Sequence, residues 1–264
     1  MSRPITRRGV ALPSDRVSVE IVIPVYNEEA TVASNVVTLC TYLETYFPYR
    51  WTVTIADNAS TDRTLAVVNE LALDPRVRVL HLDQKGRGRA LRAAWLASRA
   101  DVVGYMDVDL STNLESFLPL VAPLVAGHSD VAIGSRLLKG AVVTRQWKRE
   151  VISRVYNLLI KLMFRNDFSD AQCGFKALKR EVATALLPEV ENNEWFFDTE
   201  LLLRAEADGY RIHEVPVEWV EDLDSRVHLA GTILEDLKGL WRVRFGGRKR
   251  RPNTALGNEL AGTG

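Results

Sequence analysis

Four short runs rich in β-branched residues, separated by stretches suited to helices, constrain this chain more than any other feature. The runs lie at 17–24, 51–56, 77–82 and 102–106. Between the first two, Val32, Val36, Leu39, Leu43 and Phe47 recur at helical spacing, so a helix is expected over 30–47. Further helices are expected over 63–73, where a loop rich in capping residues precedes it, and over 84–99. Strand alternating with helix in this way gives an α/β fold with a parallel sheet and right-handed crossovers. Ligands of such sheets bind beyond the carboxyl ends of the strands. A polar cluster follows each of the four runs: Tyr26, Asn27 and Glu28; Asp57 and Asn58; Lys85 and Arg87; Asp107 and Asp109. Four coincidences on one edge favour a binding site over four unrelated caps.

The last cluster carries the most chemistry. If the backbone stays extended through it, Asp107 and Asp109 share one side while Val108 turns into packing. Two carboxylates that close repel, and a divalent cation between them relieves the repulsion. Hard oxygen ligands favour magnesium, manganese or calcium over zinc, with water and substrate phosphate completing the shell. Taken alone, an Asp-x-Asp after a strand reads equally as a cap or a solvated turn.

Composition excludes some partners. Among 264 residues, 34 basic side chains balance 34 acidic ones, so no overall field points to nucleic acid. The charge is uneven: Arg242, Arg244, Arg248, Lys249, Arg250 and Arg251 cluster near the C-terminus, with Arg3, Arg7 and Arg8 near the start. Such runs are either solvated tails or contacts with an anionic lipid surface. Cys40 and Cys173 have neither metal-ligand spacing nor a disulfide pattern, which fits a reducing compartment. No secretory leader and no membrane-spanning window is expected, so the chain is read as cytoplasmic or peripheral on the inner face of a membrane.

The motifs Ile23-Pro24-Val25-Tyr26-Asn27-Glu28-Glu29, Ala56-Asp57-Asn58-Ala59-Ser60-Thr61-Asp62, Lys85-Gly86-Arg87-Gly88 and Asp107-Val108-Asp109 follow in that order. Later come Ile133-Gly134-Ser135-Arg136, Asp170-Ala171-Gln172-Cys173-Gly174-Phe175-Lys176, Trp195-Phe196-Phe197-Asp198-Thr199-Glu200, Glu214-Val215-Pro216-Val217-Glu218-Trp219 and Asp224-Ser225-Arg226-Val227. Together they resemble inverting family 2 glycosyltransferases of GT-A fold, and within them the polyprenyl-phosphate sugar synthases, above all the dolichyl-phosphate glucosyltransferase branch. The resemblance covers 17–228. It implies a Rossmann-like, mostly parallel sheet flanked by helices, to which the spacing beyond 228 adds a C-terminal amphipathic helix.

It also implies roles. The donor, a nucleoside diphosphate sugar, falls to Pro24, Tyr26, Glu28, Asp57, Asn58, Lys85, Arg87, Asp107, Val108 and Asp109, with Asp57 facing the base ring. Glu28 has an alternative as the cap of the 30–47 helix. Asp107 and Asp109 would hold Mg2+ or Mn2+. Arg136, Arg149, Ser153 and Arg226 fall where the family gathers the acceptor phosphate, although each arginine is equally read as pairing with a nearby acid. A phosphate monoester is largely dianionic at neutral pH, so it needs cations for positioning and no base. A hydroxyl acceptor would need one, and Asp170, then Asp222, are the candidates. The implied donor is UDP-glucose with GDP-mannose as the alternative, and the implied acceptor is polyprenyl phosphate. A nucleotide-sugar-binding module without catalysis is the reading from another class, and oligomer formation is left open.

Asp198 and Glu200 open an apolar helix and are read equally as helix-dipole partners or as catalytic acids. The helix expected over 147–164 carries Val151, Val155, Leu158, Leu159, Leu162, Met163 and Phe164. That face suits a core, or a surface for an isoprenoid chain or bilayer. After His228, Leu229, Ile233, Leu237, Leu240, Trp241 and Phe245 form a second apolar face, suited either to docking on the domain or to a bilayer surface. The expected organisation is a tail over 1–16, the catalytic domain over 17–228, an amphipathic basic helix over 229–251 and a disordered tail over 252–264.

Overall fold

The computed structural model describes residues 16–221 and 229–246, with the side chains of 229–231 set aside. Seven strands form the main sheet: β1 Ser18–Val25, β2 Arg50–Asn58, β3 Val77–Leu82, β4 Val102–Met106, β5 Val131–Ser135, β7 Phe175–Lys179 and β8 Ile212–Pro216. Their order across the sheet is β3-β2-β1-β4-β7-β5-β8. Every pairing is parallel except those of β7, which runs against both β4 and β5. A two-stranded parallel ribbon joins β6 Val142–Thr144 to β9 Glu218–Val220.

Alternation within the strands fills two cores. Ile21, Ile23, Val53 and Ile55 face one side, where α1 (Val32–Tyr46), α2 (Thr64–Leu71) and α4 (Phe117–Val125) cover them through Leu39, Leu43, Val68 and Leu120. Val22, Ala56, Val103 and Tyr105 face the other side, under α3 (Arg87–Ala97), α6 (Arg180–Leu186) and α7 (Phe197–Ala207). Burial on both faces is why these strands read as nearly continuous apolar runs.

The reversed strand matters for the site. Because β7 starts at the rim where its parallel neighbours end, Phe175 pairs with Met106, and the 165–174 loop arrives beside the residues that follow β4. The expected helix over 84–99 is shorter than anticipated: residues 84–86 are irregular, and α3 starts at Arg87.

The expectation for 147–164 is met by α5 (Trp147–Phe164), but its apolar residues divide. Ile160 is buried and Tyr156, Leu159 and Met163 pack inward, whereas Trp147, Val151, Val155, Leu158 and Leu162 are exposed along one face. Packed beside it, α8 (Leu229–Phe245) buries Leu240 and Asp236 and exposes Leu234, Leu237, Trp241 and Phe245. Among the described residues no helix is long and apolar enough to cross a membrane. The 1–15 tail, Asp222, Arg226, the Asp224-Ser225-Arg226-Val227 motif and the basic run from Arg248 onward lie outside the described residues.

Candidate active site

The chain leaves three strand ends through left-handed backbone at residues other than glycine: Asn27 (φ 56°), Ala59 (φ 60°) and Leu110 (φ 52°). That conformation costs about 1–2 kcal/mol per residue, and all three fall along the sheet edge where the polar clusters lie. The first two loops hold each other. Asn27 Oδ1 accepts the Thr61 N–H at 2.8 Å, Ser60 Oγ accepts the Asn27 N–H at 3.0 Å, and Glu29 accepts the Arg63 N–H at 2.8 Å. Glu28 serves the start of α1 with its main chain, since its carbonyl oxygen accepts the N–H groups of Thr31 and Val32 at 3.1 and 3.0 Å. Its carboxylate accepts the Thr31 hydroxyl at 3.2 Å.

At the end of β2, Asp57 is fully buried, with Oδ2 2.7 Å from His81 Nδ1. Its Oδ1 and the neighbouring Asn58 Oδ1 are buried acceptors without a hydrogen-bond partner. An unmet buried acceptor costs about 1–3 kcal/mol, and the N–H of a nucleobase ring is the kind of donor that would recover it. Lys85 Nζ sits 3.6 Å from the centre of the Tyr26 ring. Its hydrogen bond to the phenol lowers the Tyr26 pKa.

The Gly-x-Gly turn has a packing explanation. Gly86 adopts φ 143°, where a Cβ would lie 2.6 Å from the Asn193 carbonyl oxygen, and a Cβ at Gly88 would lie 2.5 Å from Phe197 Cβ. The two glycines let the start of α3 press against the loop before α7 and against the first residue of α7.

The two aspartates do not lie on extended backbone. Because β4 ends at Met106, residues 107–110 form a turn closed by the Leu110 N–H on the Asp107 carbonyl at 3.2 Å. The common side of a strand therefore does not explain their pairing; the turn does. Val108 packs against the core as expected, and its carbonyl accepts Asn35 Nδ2 at 2.9 Å. Asp109 is exposed, and its Oδ1 accepts the Ser111 N–H at 3.0 Å. Asp107 pairs with Arg87, Oδ1 to Nη2 at 2.5 Å. Burial, together with Asp109 and Asp198, pushes the Asp107 pKa up against the pull of Arg87. On its other side the packing is tight: a Cβ at Gly174 would lie 1.8 Å from Asp107 Oδ2, so only glycine leaves the carboxylate where it is.

Among the described residues no three His, Cys, Asp or Glu side chains converge in a way that could hold a metal ion. Two carboxylates in a turn suit a hard divalent cation that takes most of its shell from phosphate and water, and not a metal caged by protein alone.

Behind Asp107 lies a buried network that the sequence reading missed. Lys176 is fully buried, and its Nζ reaches Asp198 Oδ1 at 3.0 Å and the Cys173 carbonyl at 2.6 Å. The Tyr105 hydroxyl donates to the same Asp198, whose second oxygen is 3.7 Å from Arg87 Nη1. The available signal was a lysine in the middle of the apolar run Phe175-Lys176-Ala177-Leu178. Glu200 is structural instead: it accepts the N–H groups of Glu191 and Asn192 at 3.0 and 2.9 Å, and Arg242 of α8 at 2.7 Å.

The described acceptor candidates come from the residue after β5, the loop before β7 and helix α5. Asp170 is fully buried and takes Arg136 in two parallel bonds of 2.8 and 3.0 Å, plus the Arg136 N–H at 3.1 Å. Burial alone would push Asp170 up, but the guanidinium holds it below the usual carboxylate range. A base engaged on both oxygens and depressed in this way is poorly suited to deprotonating a hydroxyl. Arg149 pairs with the buried Glu221 at 2.7 Å. Arg145, also missed in the sequence, pairs with Glu150, and its Cζ lies 6.0 Å from the Trp219 ring; Arg136 Cζ lies 5.4 Å from the same ring. Arg136, Arg145 and Arg149 thus each have an acid partner, which for Arg136 and Arg149 is what the alternative reading expected, while Arg226 lies outside the described residues. Ser153 is half-buried on α5, one turn past Arg149. The β6/β9 ribbon links this cluster to the aspartate turn, since the Val220 N–H donates to the Ser111 carbonyl at 2.9 Å and Thr112 bridges to Trp219.

Asp236 ties α8 to the site loop, accepting Gln172 Nε2 at 2.8 Å. Burial pushes its pKa up to about 7; Glu235 and Asp198 add to the rise, and hydrogen bonds from Gln172 and Tyr156 oppose it. A raised carboxyl stabilises the fold while protonated, and that contribution fades as pH rises through the folded value. Between pH 6 and 8 the loss is about 1.4 kcal/mol, or about 4 °C in Tm for a chain of this size. Thermal melts should show this fall in the wild type and a flatter profile in Asp236→Asn.

Comparison with known proteins gives the family and the fold. Residues 20–187 match the family described as Glycosyl transferase family 2. "Glycosyltransferase AglD" of Haloferax volcanii is 41% identical over 98% of this chain, which spans 43% of that protein's length. "Dolichyl-phosphate beta-glucosyltransferase ALG5C" of Trichomonas vaginalis is 30% identical over 84% of this chain and 73% of its own length. The fold is shared with the crystal structure of Mycobacterium tuberculosis glucosyl-3-phosphoglycerate synthase, at a TM-score of 0.67 and 21% identity over 87% of this chain and 81% of that one. The mostly parallel GT-A sheet, the edge on which its polar residues collect and the match over most of the sheet place this chain in glycosyl transferase family 2.

Proposed function

We propose that this protein transfers glucose from UDP-glucose to a polyprenyl phosphate, with inversion and with the help of Mg2+ or Mn2+. The observation that carries the proposal is the pairing of Arg136 with a fully buried, depressed Asp170 beside the Asp107 turn. That pairing leaves Asp170, among the described residues, poorly suited to act as a base, which suits an acceptor that is already an anion. Arg149 adds a second cation, and Arg226, outside the described residues, completes the set in this reading. Relatives named dolichyl-phosphate beta-glucosyltransferase, among them the Drosophila melanogaster protein at 31% identity, support both the sugar and the lipid phosphate.

In this reading, Asp57 and Asn58 take the base ring, while Tyr26 and Lys85 flank the nucleoside. Arg87 meets the diphosphate, and Asp107 and Asp109 hold the cation. When bound, that ion neutralises charge building on the leaving diphosphate. Arg136 and Arg149 orient the acceptor phosphate for in-line attack, which for a charged nucleophile is most of the catalysis. Helices α5 and α8 pack against each other, and each carries exposed apolar residues. With Lys148, Arg154, Lys161 and Arg244 on the same helices, they suit peripheral contact with an anionic bilayer that presents the lipid.

The test uses the purified full chain with Mn2+, labelled UDP-glucose or GDP-mannose, and either polyprenyl phosphate or the free polyprenol in detergent. Product is expected from UDP-glucose with the phosphate alone. Equal turnover of the alcohol would overturn the acceptor assignment, and preference for GDP-mannose would overturn the donor.

A further inference from the structure

Arg87 is an unusual neighbour for a carboxylate assigned to a cation. It is the first residue of α3, its side chain is 11% exposed, and its Nη2 lies 2.5 Å from Asp107 Oδ1. Its guanidinium carbon lies 5.1 Å from the centre of the Tyr105 ring and 4.9 Å from that of Trp195. The second acid within reach, Asp198 at 3.7 Å, already has Lys176 at 3.0 Å and the Tyr105 hydroxyl. Asp107 is therefore the main counter-charge of Arg87, and a divalent cation must compete with the guanidinium for the same oxygen.

We infer that Arg87 is a resident counter-ion for Asp107 that makes cation binding depend on the nucleoside diphosphate. While Arg87 holds Asp107, a divalent cation meets a positive charge a few ångströms away and one carboxylate oxygen already engaged. The anionic diphosphate offers Arg87 a stronger partner, and the guanidinium moves its contact from Asp107 to phosphate. Asp107 is then released for the ion, so cation and nucleotide bind as a pair and neither binds well alone. Gly174 fits this reading, because it keeps Asp107 Oδ2 packed in place while Oδ1 changes partner. The inference rests on the cation role proposed above for Asp107 and Asp109.

The experiment titrates Mn2+ into the full chain, following free Mn2+ by electron paramagnetic resonance, with and without saturating UDP, and a protein-free titration of UDP sets aside the Mn2+ that the nucleotide itself binds. For the wild type, UDP is expected to tighten Mn2+ binding by about 30-fold or more, within the usual range of coupling between sites. Arg87→Met is expected to bind Mn2+ alone about 10-fold more tightly than wild type, with the UDP effect reduced to a few-fold, because the competing charge is gone. Arg87→Lys keeps a cation at the position and should retain weak binding of Mn2+ alone. A wild type whose Mn2+ affinity is the same with and without UDP overturns the inference, and so does an Arg87→Met protein that binds Mn2+ no more tightly than wild type. Absence of Mn2+ binding even with saturating UDP would remove the cation role itself, and this inference with it.

Discussion

Asp107→Asn is expected to lower sugar transfer by about a thousandfold, equivalent to about 4 kcal/mol in the barrier, while leaving the fold intact. The amide keeps the volume and one acceptor oxygen beside Gly174, but it removes the charge that would hold a divalent cation. A modest loss of stability is expected beside it, because Asp107 is the main counter-charge of the mostly buried Arg87 and Asp198, 3.7 Å away, replaces it only in part. Asp109→Asn should cost less, since Asp109 is exposed and an amide oxygen can still accept the Ser111 N–H. Turnover with labelled donor across a range of Mn2+ concentrations, beside thermal melts of each variant, separates loss of chemistry from loss of fold. Retention of more than about a tenth of wild-type turnover by Asp107→Asn would contradict the cation role, because losing the principal charge of such a site costs several kcal/mol.

The second large effect concerns stability as well as activity. Arg136→Met leaves Asp170, which has no exposed surface, without its counter-charge. Breaking a buried pair from one side costs about 3–5 kcal/mol, so Tm should fall by about 10 °C. Adding Asp170→Asn removes the stranded charge while an amide oxygen still accepts a backbone N–H, and most of the lost stability should return. Transfer to polyprenyl phosphate should not return with it. The double variant thus separates the two duties of Arg136: neutralising Asp170 and facing the acceptor. If transfer recovers together with Tm, Arg136 serves only the fold.

Much of this organisation was legible in the chain because local signals and global architecture agree. The first four strands and their intervening helices were readable from β-branched runs and helical spacing, since a sheet covered on both faces needs apolar residues on both sides of each strand. The polar clusters stood out because each follows a strand. What local pattern could not supply was direction and turn geometry. Nothing in Phe175-Lys176-Ala177-Leu178 says that β7 runs against its neighbours, and that reversal is what brings Gly174 against Asp107. Likewise, Asp107 and Asp109 suggested a common strand side, whereas the strand stops at Met106 and a turn holds them.

The buried polar network was hidden for a related reason. Lys176, Tyr105 and Asp198 come from three separate elements, and their pairing is a product of topology. The partners of the arginines were equally out of view: Asp170 lies 34 residues beyond Arg136, and Glu221 directly follows the far strand of a ribbon that forms only when β6 and β9 meet. For α5, periodicity revealed an apolar face but not its surroundings. The fold turns Ile160 inward and leaves Trp147, Val151, Val155, Leu158 and Leu162 facing out, so the same sequence stripe serves both packing and surface.

A crystal of the protein soaked with Mn2+ and UDP, with data collected to reveal manganese by its anomalous scattering, tests the central claim most directly. The expected result is a single strong peak in contact with Asp107, on the same turn as Asp109, with the diphosphate completing its shell. A peak elsewhere on the molecule, or UDP bound at the sheet edge with no manganese beside those two carboxylates, would contradict it.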